Sequence, residues 1–361
     1  IGAGGGSIAW IDDAGLLRIG PRSAGARPGP VCYGRGGTEP TITDANLLLG
    51  RLDPDRLLAT ERAVGLDEVR EAIARVVSWP LGIDTDDAAG AIIRVANDRM
   101  AGAIRMVSLA RGHDPRDFTL FAFGGAGPLH ACALARELGI PRVLIPARPG
   151  LTNALGCAVS DLRHDYVRTL NVPLSSLAEG LVAEVLNAQV AEGLATLERE
   201  GVAIERVTTV FEADLQFQGQ SHLLTIALPD PDISADRIRD AFETAYHQRF
   251  GVSLPEIRAV LVNLHTAVIG RRKVPPLALL GGDAGTGTVE DAVRTRRPVW
   301  FDGAWHDTPV IVRDALPAGA RFSGPAIVEQ LDTTVVIEPG FTAERDALGN
   351  LVLRLTTPPD A

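Results

Sequence analysis

The sequence predicts an α/β fold followed by an α+β segment and then a β-rich region, and three observations predict it. First, the apolar run Phe118-Thr-Leu-Phe-Ala-Phe123 leads into Gly124-Gly-Ala-Gly-Pro128, then a helical pattern to Leu138 and a second apolar run at Val143–Ile145. Strand, glycine turn, helix and strand within about thirty residues make one α/β unit. Second, Ile93, Ala96, Met100, Ile104 and Val107 recur at steps of three and four, the stripe of an amphipathic helix. Third, helical and strand patterns alternate after Asp161, and beyond Thr288 only short β-like segments remain.

The elements follow in chain order. Ile8–Ile11 and Leu16–Ile19 flank Asp12-Asp-Ala-Gly15 and read as a β-hairpin. Residues 20–40 carry six glycines and four prolines besides Cys32 and Tyr33, a loop long enough to be functional or packed on itself. Thr43–Leu49 reads as a short helix ended by Gly50, and residues 66–112 as helical up to Gly112. Phe118–Phe123 reads as a buried strand, and Pro128 sits where a first-turn proline belongs. Leu186, Val190, Leu194 and Leu197 mark one helix, and Ile238, Phe242 and Tyr246 another that ends near Gly251. Val207–Leu228 reads as two strands around Gln218-Gly-Gln220, and Val260–Ile269 as a third. Arg271–Thr288 reads as a Pro/Gly linker, followed by turns at Ala318-Gly319, Pro339-Gly340 and Leu348-Gly-Asn350.

Composition excludes several function classes. A net charge of −10 disfavours nucleic acid or an anionic membrane as the main partner. Lys273 is the only lysine and lies in Arg271-Arg-Lys-Val-Pro-Pro276, so a P-loop is excluded and a pyridoxal Schiff base would have to use this linker residue. Cys32, Cys132 and Cys157 are too few and too scattered for a disulfide scaffold or zinc knuckle, and a reduced cytoplasmic setting is expected. No apolar run reaches membrane-spanning length. The opening Ile1-Gly-Ala-Gly-Gly-Gly-Ser7 reads as a cut inside a domain, and the chain as part of a longer protein.

Two glycine runs are the candidate ligand loops. Gly124, Gly125, Ala126 and Gly127 lie between a strand and a helix start, where bare backbone admits a ligand and free N–H groups meet an anion. A tight turn with glycine for steric reasons explains the same residues. The run lacks the third glycine of a dinucleotide fingerprint, since Leu129 and His130 stand there. Gly4, Gly5, Gly6 and Ser7 precede a strand, and their successive N–H groups suit an anion nest or a flexible end. Cys32 is a candidate thiol nucleophile or a small packed residue. Asp44, beside Asn46, is a candidate for carboxylate chemistry on substrate or magnesium, or a helix cap. His130 and Cys132 stand two apart on a helix and face different ways, so no shared metal is expected and no metal-ligating cluster is assigned. Gly219-Gln-Ser-His222 lacks the last glycine of a nucleophile elbow.

Taken together, the segments resemble the hydantoinase A/oxoprolinase family, which includes N-methylhydantoinase A, 5-oxoprolinase and the ATP-binding subunit of acetone carboxylase. The resemblance rests on Ile1–Ala9, Ser23–Thr38, Thr43-Asp-Ala-Asn-Leu47, Phe123-Gly-Gly-Ala-Gly-Pro-Leu-His-Ala131 and Ser160–Tyr166. It continues through Gln218-Gly-Gln-Ser221, Tyr246-His-Gln-Arg-Phe-Gly251 and Gly324-Pro-Ala-Ile-Val-Glu-Gln330, eight segments in order over nearly the whole chain. It implies the C-terminal half of such a subunit, with part of an actin-like ATPase fold of the sugar kinase, heat-shock chaperone and actin class. The implied domains are 1–165 for the ATPase part, 166–275 for an α+β domain and 276–361 for a linker and β-rich module. It further implies ATP and Mg2+, with Gly124, Gly125 and Gly127 on the adenosine side and Gly4–Ser7 near phosphates or substrate. The family's Asp-Gly-Gly-Thr phosphate loops are absent here, so the magnesium ligands are expected upstream. The implied activity is ATP-dependent hydrolysis of a cyclic amide such as 5-oxoproline or a hydantoin, with a hydantoinase B-type subunit or domain as partner in an oligomer. Acetone-carboxylase-type carboxylation and a purely assembling role are the alternatives.

Overall fold

The aspartate and glycine of the Asp12–Gly15 turn bring Ser7–Ile11 (β1) against Leu17–Ser23 (β2) as an antiparallel hairpin, with Ala9 opposite Ile19. The structure is a computed structural model and describes residues 2–57, 60, 64–254, 256–273 and 285–356. Its contacts divide the chain into two units, Ile1–Leu155 with Pro276–Ala361, and Gly156–Pro275. No helix among the described residues is long and apolar enough to cross a membrane.

In the first unit, Ile42–Leu48 (α1) and Leu66–Ile73 (α2) are followed by a π-turn at Ala74–Ser78, the short Trp79–Leu81 (α3) and the long Thr85–Val107 (α4). Their apolar faces close on β1 and β2 around Ile19, Ile42, Leu49, Ile73 and Ile92, all fully buried. Thr119–Phe121 (β3), Gly127–Leu138 (α5) and Arg142–Ile145 (β4) form the expected unit, with α5 as the crossover between parallel strands. The strand is shorter than expected and is not buried. Phe118, Phe121 and Phe123 are 52%, 46% and 37% exposed. The reason is position: among the described residues β3 is an edge strand, paired with β4 alone, and apolar content alone does not separate edge from centre. The helix Thr152–Val159 (α6) follows, and the unit boundary falls within it.

The second unit is an antiparallel sheet with helices on one face. Leu162–Pro173 (β5), Leu181–Glu200 (α7), Arg206–Phe217 (β6), Leu224–Leu228 (β7), Ala235–Phe250 (α8) and Ala259–Arg271 (β8) follow in order. The strands lie in the order β5-β8-β6-β7. Leu186 of α7 and Ile238 and Phe242 of α8 pack on Leu215, Phe217 and Leu261 of the sheet. The helices and strands expected here are all present.

The last strands return to the first unit. Val293–Phe301 (β9) and Ala304–Val312 (β10) form a hairpin, Ala326–Glu329 (β12) runs parallel to β10, and Thr334–Ile337 (β13) completes that sheet. Arg321–Ser323 (β11), Phe341–Arg345 (β14) and Leu351–Leu355 (β15) join β4 and β3 in a five-stranded sheet ordered β11-β14-β15-β4-β3. Leu351 lies opposite Ile145 and Leu353 opposite Val143, so one core holds residues from both ends of the chain. The turns at Gly319, Gly340 and Gly349 have positive φ, as expected. Most of the expected linker at 271–288, namely 274–284, lies outside the described residues.

Candidate functional site

The first glycine run is a tight turn tied down on both sides. Ser7 donates its N–H to Gly4 O at 2.9 Å, and its hydroxyl accepts from Gly4 N at 3.0 Å. Thr43, in the first turn of α1, donates both its N–H and its hydroxyl to Gly5 O, each at 2.9 Å. Ala24 N holds Gly6 O at 2.8 Å. A Cβ on Gly5 would lie 2.7 Å from Thr43 Oγ1, so glycine alone lets the helix start press this closely on the turn. Gly5 and Gly6 face a cavity, while Ser7 is buried and closes the turn behind them.

The second run is held in the same manner. Gly124 sits at φ +83°, donates to Pro149 O at 2.8 Å, and has open space where a Cβ would point. Thr333, between β12 and β13, donates its hydroxyl toward Gly124 O at 3.2 Å and Gly125 O at 2.9 Å. Its neighbours are anchored too. Asp332 Oδ2 accepts from Gly150 N at 2.8 Å, and Gln330 Oε1 accepts from Arg313 at 2.6 Å. Arg313 also donates to the carbonyls of Ile145, Pro146 and Gly349 at 3.0, 2.7 and 3.1 Å. Burial lowers its pKa to about 10, which leaves it cationic at neutral pH. Helix α5 then begins at Gly127 with Pro128 in its first turn and no side-chain cap. Its positive end is thus left to backbone N–H groups.

The two runs, about 120 residues apart in sequence, line one cavity of about 680 Å³. Gly5 and Gly6 are on one wall, Gly125 and Ala126 on another, and Thr43 and Thr333 beside them. Leu52, Leu57, Leu129 and Leu331 supply apolar surface, and Leu331 is 80% exposed. The charged lining is acidic: Asp53, Asp55, Glu329 and Asp332 against Arg56. Glu329 is neutralised from behind by Arg294 at 2.6 Å and Arg297 at 2.9 Å, with Asp53 3.4 Å from Arg294. Arg297 also donates to Gly50 O and Arg51 O, which ties this network to the end of α1. Tyr33 lines the cavity as well, and burial raises its phenol pKa. Among the described residues no group of three or more His, Cys, Asp or Glu is placed to hold a metal ion.

The family described as hydantoinase/oxoprolinase matches residues 1–166, and its C-terminal domain matches residues 179–354. The chain belongs to the hydantoinase/oxoprolinase family. It is 37% identical to caprolactamase subunit alpha of Pseudomonas jessenii, over 96% of this chain and 51% of that one. It is 30% identical to 5-oxoprolinase 1 of Arabidopsis thaliana, over 98% of this chain and 29% of that one. Among solved structures, the ATP-dependent caprolactamase from Pseudomonas jessenii superposes with a TM-score of 0.79 at 35% identity, covering 99% of this chain and 52% of that one. Nucleotide-free acetone carboxylase gives 0.73 at 26% identity, covering 98% and 52%. The chain therefore spans about half the length of the caprolactamase relative and less than a third of 5-oxoprolinase 1. The fold agrees with the α/β, actin-like ATPase part and β-rich C-terminal region that the resemblance implies.

Within this family fold, the residues singled out in the sequence fall into two groups. Gly5, Gly6, Gly125 and Ala126 reach the cavity, with Gly4, Ser7, Gly124 and Gly127 shaping the turns that present them. Asp44 and Cys32 meet each other beneath the cavity. Asp44 is fully buried and accepts from Val31 N at 3.2 Å and from Cys32 N, Thr41 N and Thr41 Oγ1 at 2.8 Å each. With Thr41 it forms a capping box at the start of α1. Cys32 is buried, and desolvation with the nearby Asp44 carboxylate drives its thiol pKa far above the ordinary range. A thiol so held does not supply thiolate. Thr43, Asp53, Leu331, Asp332 and Thr333 escaped sequence reasoning as site residues. The signal for Thr43 is its place in the matched Thr43–Leu47 segment, and for 331–333 the adjoining Gly324–Gln330 segment. Asp53 carries no such signal.

Proposed function

We propose that the chain carries the adenosine-binding part of an ATP-dependent enzyme that opens a cyclic amide, with 5-oxoproline, hydantoins and related lactams as the substrate class. One observation carries the reading: two glycine turns far apart in sequence close on a single cavity of nucleotide dimensions, about 680 Å³. The Gly125–Ala126 turn and the uncapped start of α5 offer bare backbone, and Leu331 offers an apolar face for a base. The acidic lining decides which end of the nucleotide fits. Carboxylates at Asp53, Asp55 and Asp332 accept from hydroxyls and amines, and they repel a polyphosphate. The phosphate grip then belongs with Gly5 and Gly6 and with residues outside this chain.

When bound, ATP would supply its γ-phosphoryl group to the lactam carbonyl oxygen, with the bond to ADP breaking and ADP leaving, so that a carbon deactivated by amide resonance becomes open to water. The chain's own residues bind and orient: Thr43 and Thr333 hold the two turns in place, and Asp44 holds Thr43's helix. Among the described residues no group of three or more His, Cys, Asp or Glu is placed to hold Mg2+. A B-type subunit is the proposed partner for water attack; the name of the caprolactamase relative, subunit alpha, supports a partner subunit as such. The three unpaired cysteines support a cytoplasmic site of action.

The test is calorimetry of ATP binding, followed by ADP release and ring opening across a lactam panel with the partner subunit present. ATP-dependent opening of a lactam, with binding lost in Gly125→Val, is the expected result. Nucleotide binding unaffected by Gly125→Val overturns the reading. The acetone carboxylase likeness favours a second reading, in which the same site drives carboxylation. Incorporation of labelled bicarbonate into a product, without lactam opening, would select it.

A further inference from the structure

Gly5 and Gly6 share their cavity with Gly25, Pro30, Tyr33 and Thr43, and none of these side chains is charged. Arg56, the one guanidinium of the described lining, is directed to Glu329, with its Nε 3.9 Å from that carboxylate. Thr43 gives its hydroxyl proton to Gly5 O at 2.9 Å. The phenol of Tyr33 stands beside that hydroxyl, and no carbonyl or carboxylate among the described residues takes up its proton. Tyr33 is therefore the side-chain donor left to a ligand next to the Gly5–Gly6 turn.

The ring is also held in place. Val31–Tyr33 forms a short helical turn that ends at Gly34 with φ +66°. Asp44 accepts the N–H groups of Val31 and Cys32, so the carboxylate that caps α1 fixes this turn as well. The ring packs on the core beneath α1 and α4, and a Cβ on Gly29 would lie 3.2 Å from its Cδ2. Arg35 covers the ring, with Cζ 5.8 Å from the centroid. Burial, then the neighbouring Cys32 and Asp44, raises the phenol pKa, so the hydroxyl keeps its proton at neutral pH. A fixed, uncharged donor beside a turn of bare backbone suits an oxygen that must be aligned without giving or taking a proton.

We propose that the Tyr33 hydroxyl donates a hydrogen bond to a γ-phosphoryl oxygen of ATP and aligns that group for attack by the lactam oxygen. The assignment rests on the ATP-dependent reading above, in which Gly5 and Gly6 face the phosphates. The phenol keeps its proton throughout, and no covalent bond to it forms.

The test is calorimetry on the whole protein with its partner subunit present, using a non-hydrolysable ATP analogue and, separately, ADP. Tyr33→Phe keeps the ring against Gly29 and the core, so its melting temperature should match that of the unaltered protein. The analogue should bind about tenfold more weakly to Tyr33→Phe, the loss of one hydrogen bond to a charged group, while ADP binds equally to both proteins. A role confined to shaping the cavity would move both nucleotides together or neither. Equal affinities in the two proteins, or an equal loss for analogue and ADP, overturn the assignment of Tyr33 and leave the ATP-dependent reading standing. Failure of the unaltered protein to bind either nucleotide overturns both.

Discussion

Replacing Asp44 by alanine tests whether this carboxylate builds the site or acts in it. The side chain accepts from three backbone N–H groups, those of Val31, Cys32 and Thr41, and from the Thr41 hydroxyl. All three donors belong to buried residues, exposed by 7%, 2% and 0%. A buried donor stripped of its acceptor costs ~1–3 kcal/mol. Three of them, less the relief of no longer burying a carboxylate, give a loss of about 4 kcal/mol. In a unit of this size that corresponds to a melting temperature lower by about 10 °C. Asp44→Asn keeps the shape but turns an N–H toward one of the donors, and about half the loss is expected.

The assay is equilibrium unfolding followed by fluorescence, in which Trp10 of β1 reports on this part of the core. ATP binding should weaken in step with stability, because Thr43 at the head of the same helix holds Gly5 O. The refuting result is specific. If Asp44→Ala unfolds where the unaltered protein does, yet loses ring opening, the carboxylate performs chemistry and the scaffolding argument is wrong.

Three further outcomes follow from the geometry. Gly125→Val should leave stability nearly unchanged, since a Cβ there meets only Asp332 O at 3.7 Å, while ATP binding falls by at least ~10-fold on calorimetry. Burial, with the Arg51 charge, lowers the pKa of His130 from 6.5 to about 4, so the folded protein favours the neutral ring. Stability is then present above pH 6.5 and lost as the pH falls toward 4, by roughly 3 kcal/mol, and denaturant titrations should show a flatter acid limb in His130→Asn. Of the three thiols, only exposed Cys157 should react with an aromatic disulfide in the native protein; prompt labelling of Cys32 or Cys132 contradicts their burial.

Much of the fold is legible in the sequence because local rules decide it. The Asp12–Gly15 hairpin, the stripe of α4 and the β3–α5–β4 unit each rest on residues close together. Phe118–Phe123 misleads because the same apolar letters serve a central strand and an edge strand, and only the pairing of β15 with β4 settles which side is covered. Both glycine runs stand out in the sequence, but nothing local says that they face one another. Their meeting requires α1 to pin Gly5 and the β12–β13 turn to pin Gly125. Thr333 and Asp332 carry no pattern of their own and matter only through that meeting. Cys32 and Asp44 show the opposite limit. Their residue types admit catalysis, and it is contacts 12 and 13 residues apart that commit Asp44 to the backbone.

Arg313 shows why the cavity depends on both ends of the chain. A buried guanidinium is costly unless its donors are matched, and here it donates to the Ile145 and Pro146 carbonyls at the end of β4, to one at Gly349 before β15, and to Gln330 beside the cavity. Those partners come from three segments distant in sequence, and the charge is tolerated only when all three are in place. Gln330 in turn bonds Asp332, whose other oxygen holds Gly150, and Thr333 next to it holds Gly125. The wall at Gly125 is therefore set by strands that arrive last in the chain. A glycine turn gives a ligand room, but without Arg313 and the segment it orders nothing would keep that room the right shape. Backbone freedom at the two turns and rigidity behind them are the paired requirements of the site, and the neutralised network at Glu329, which leads directly into Gln330, serves the second.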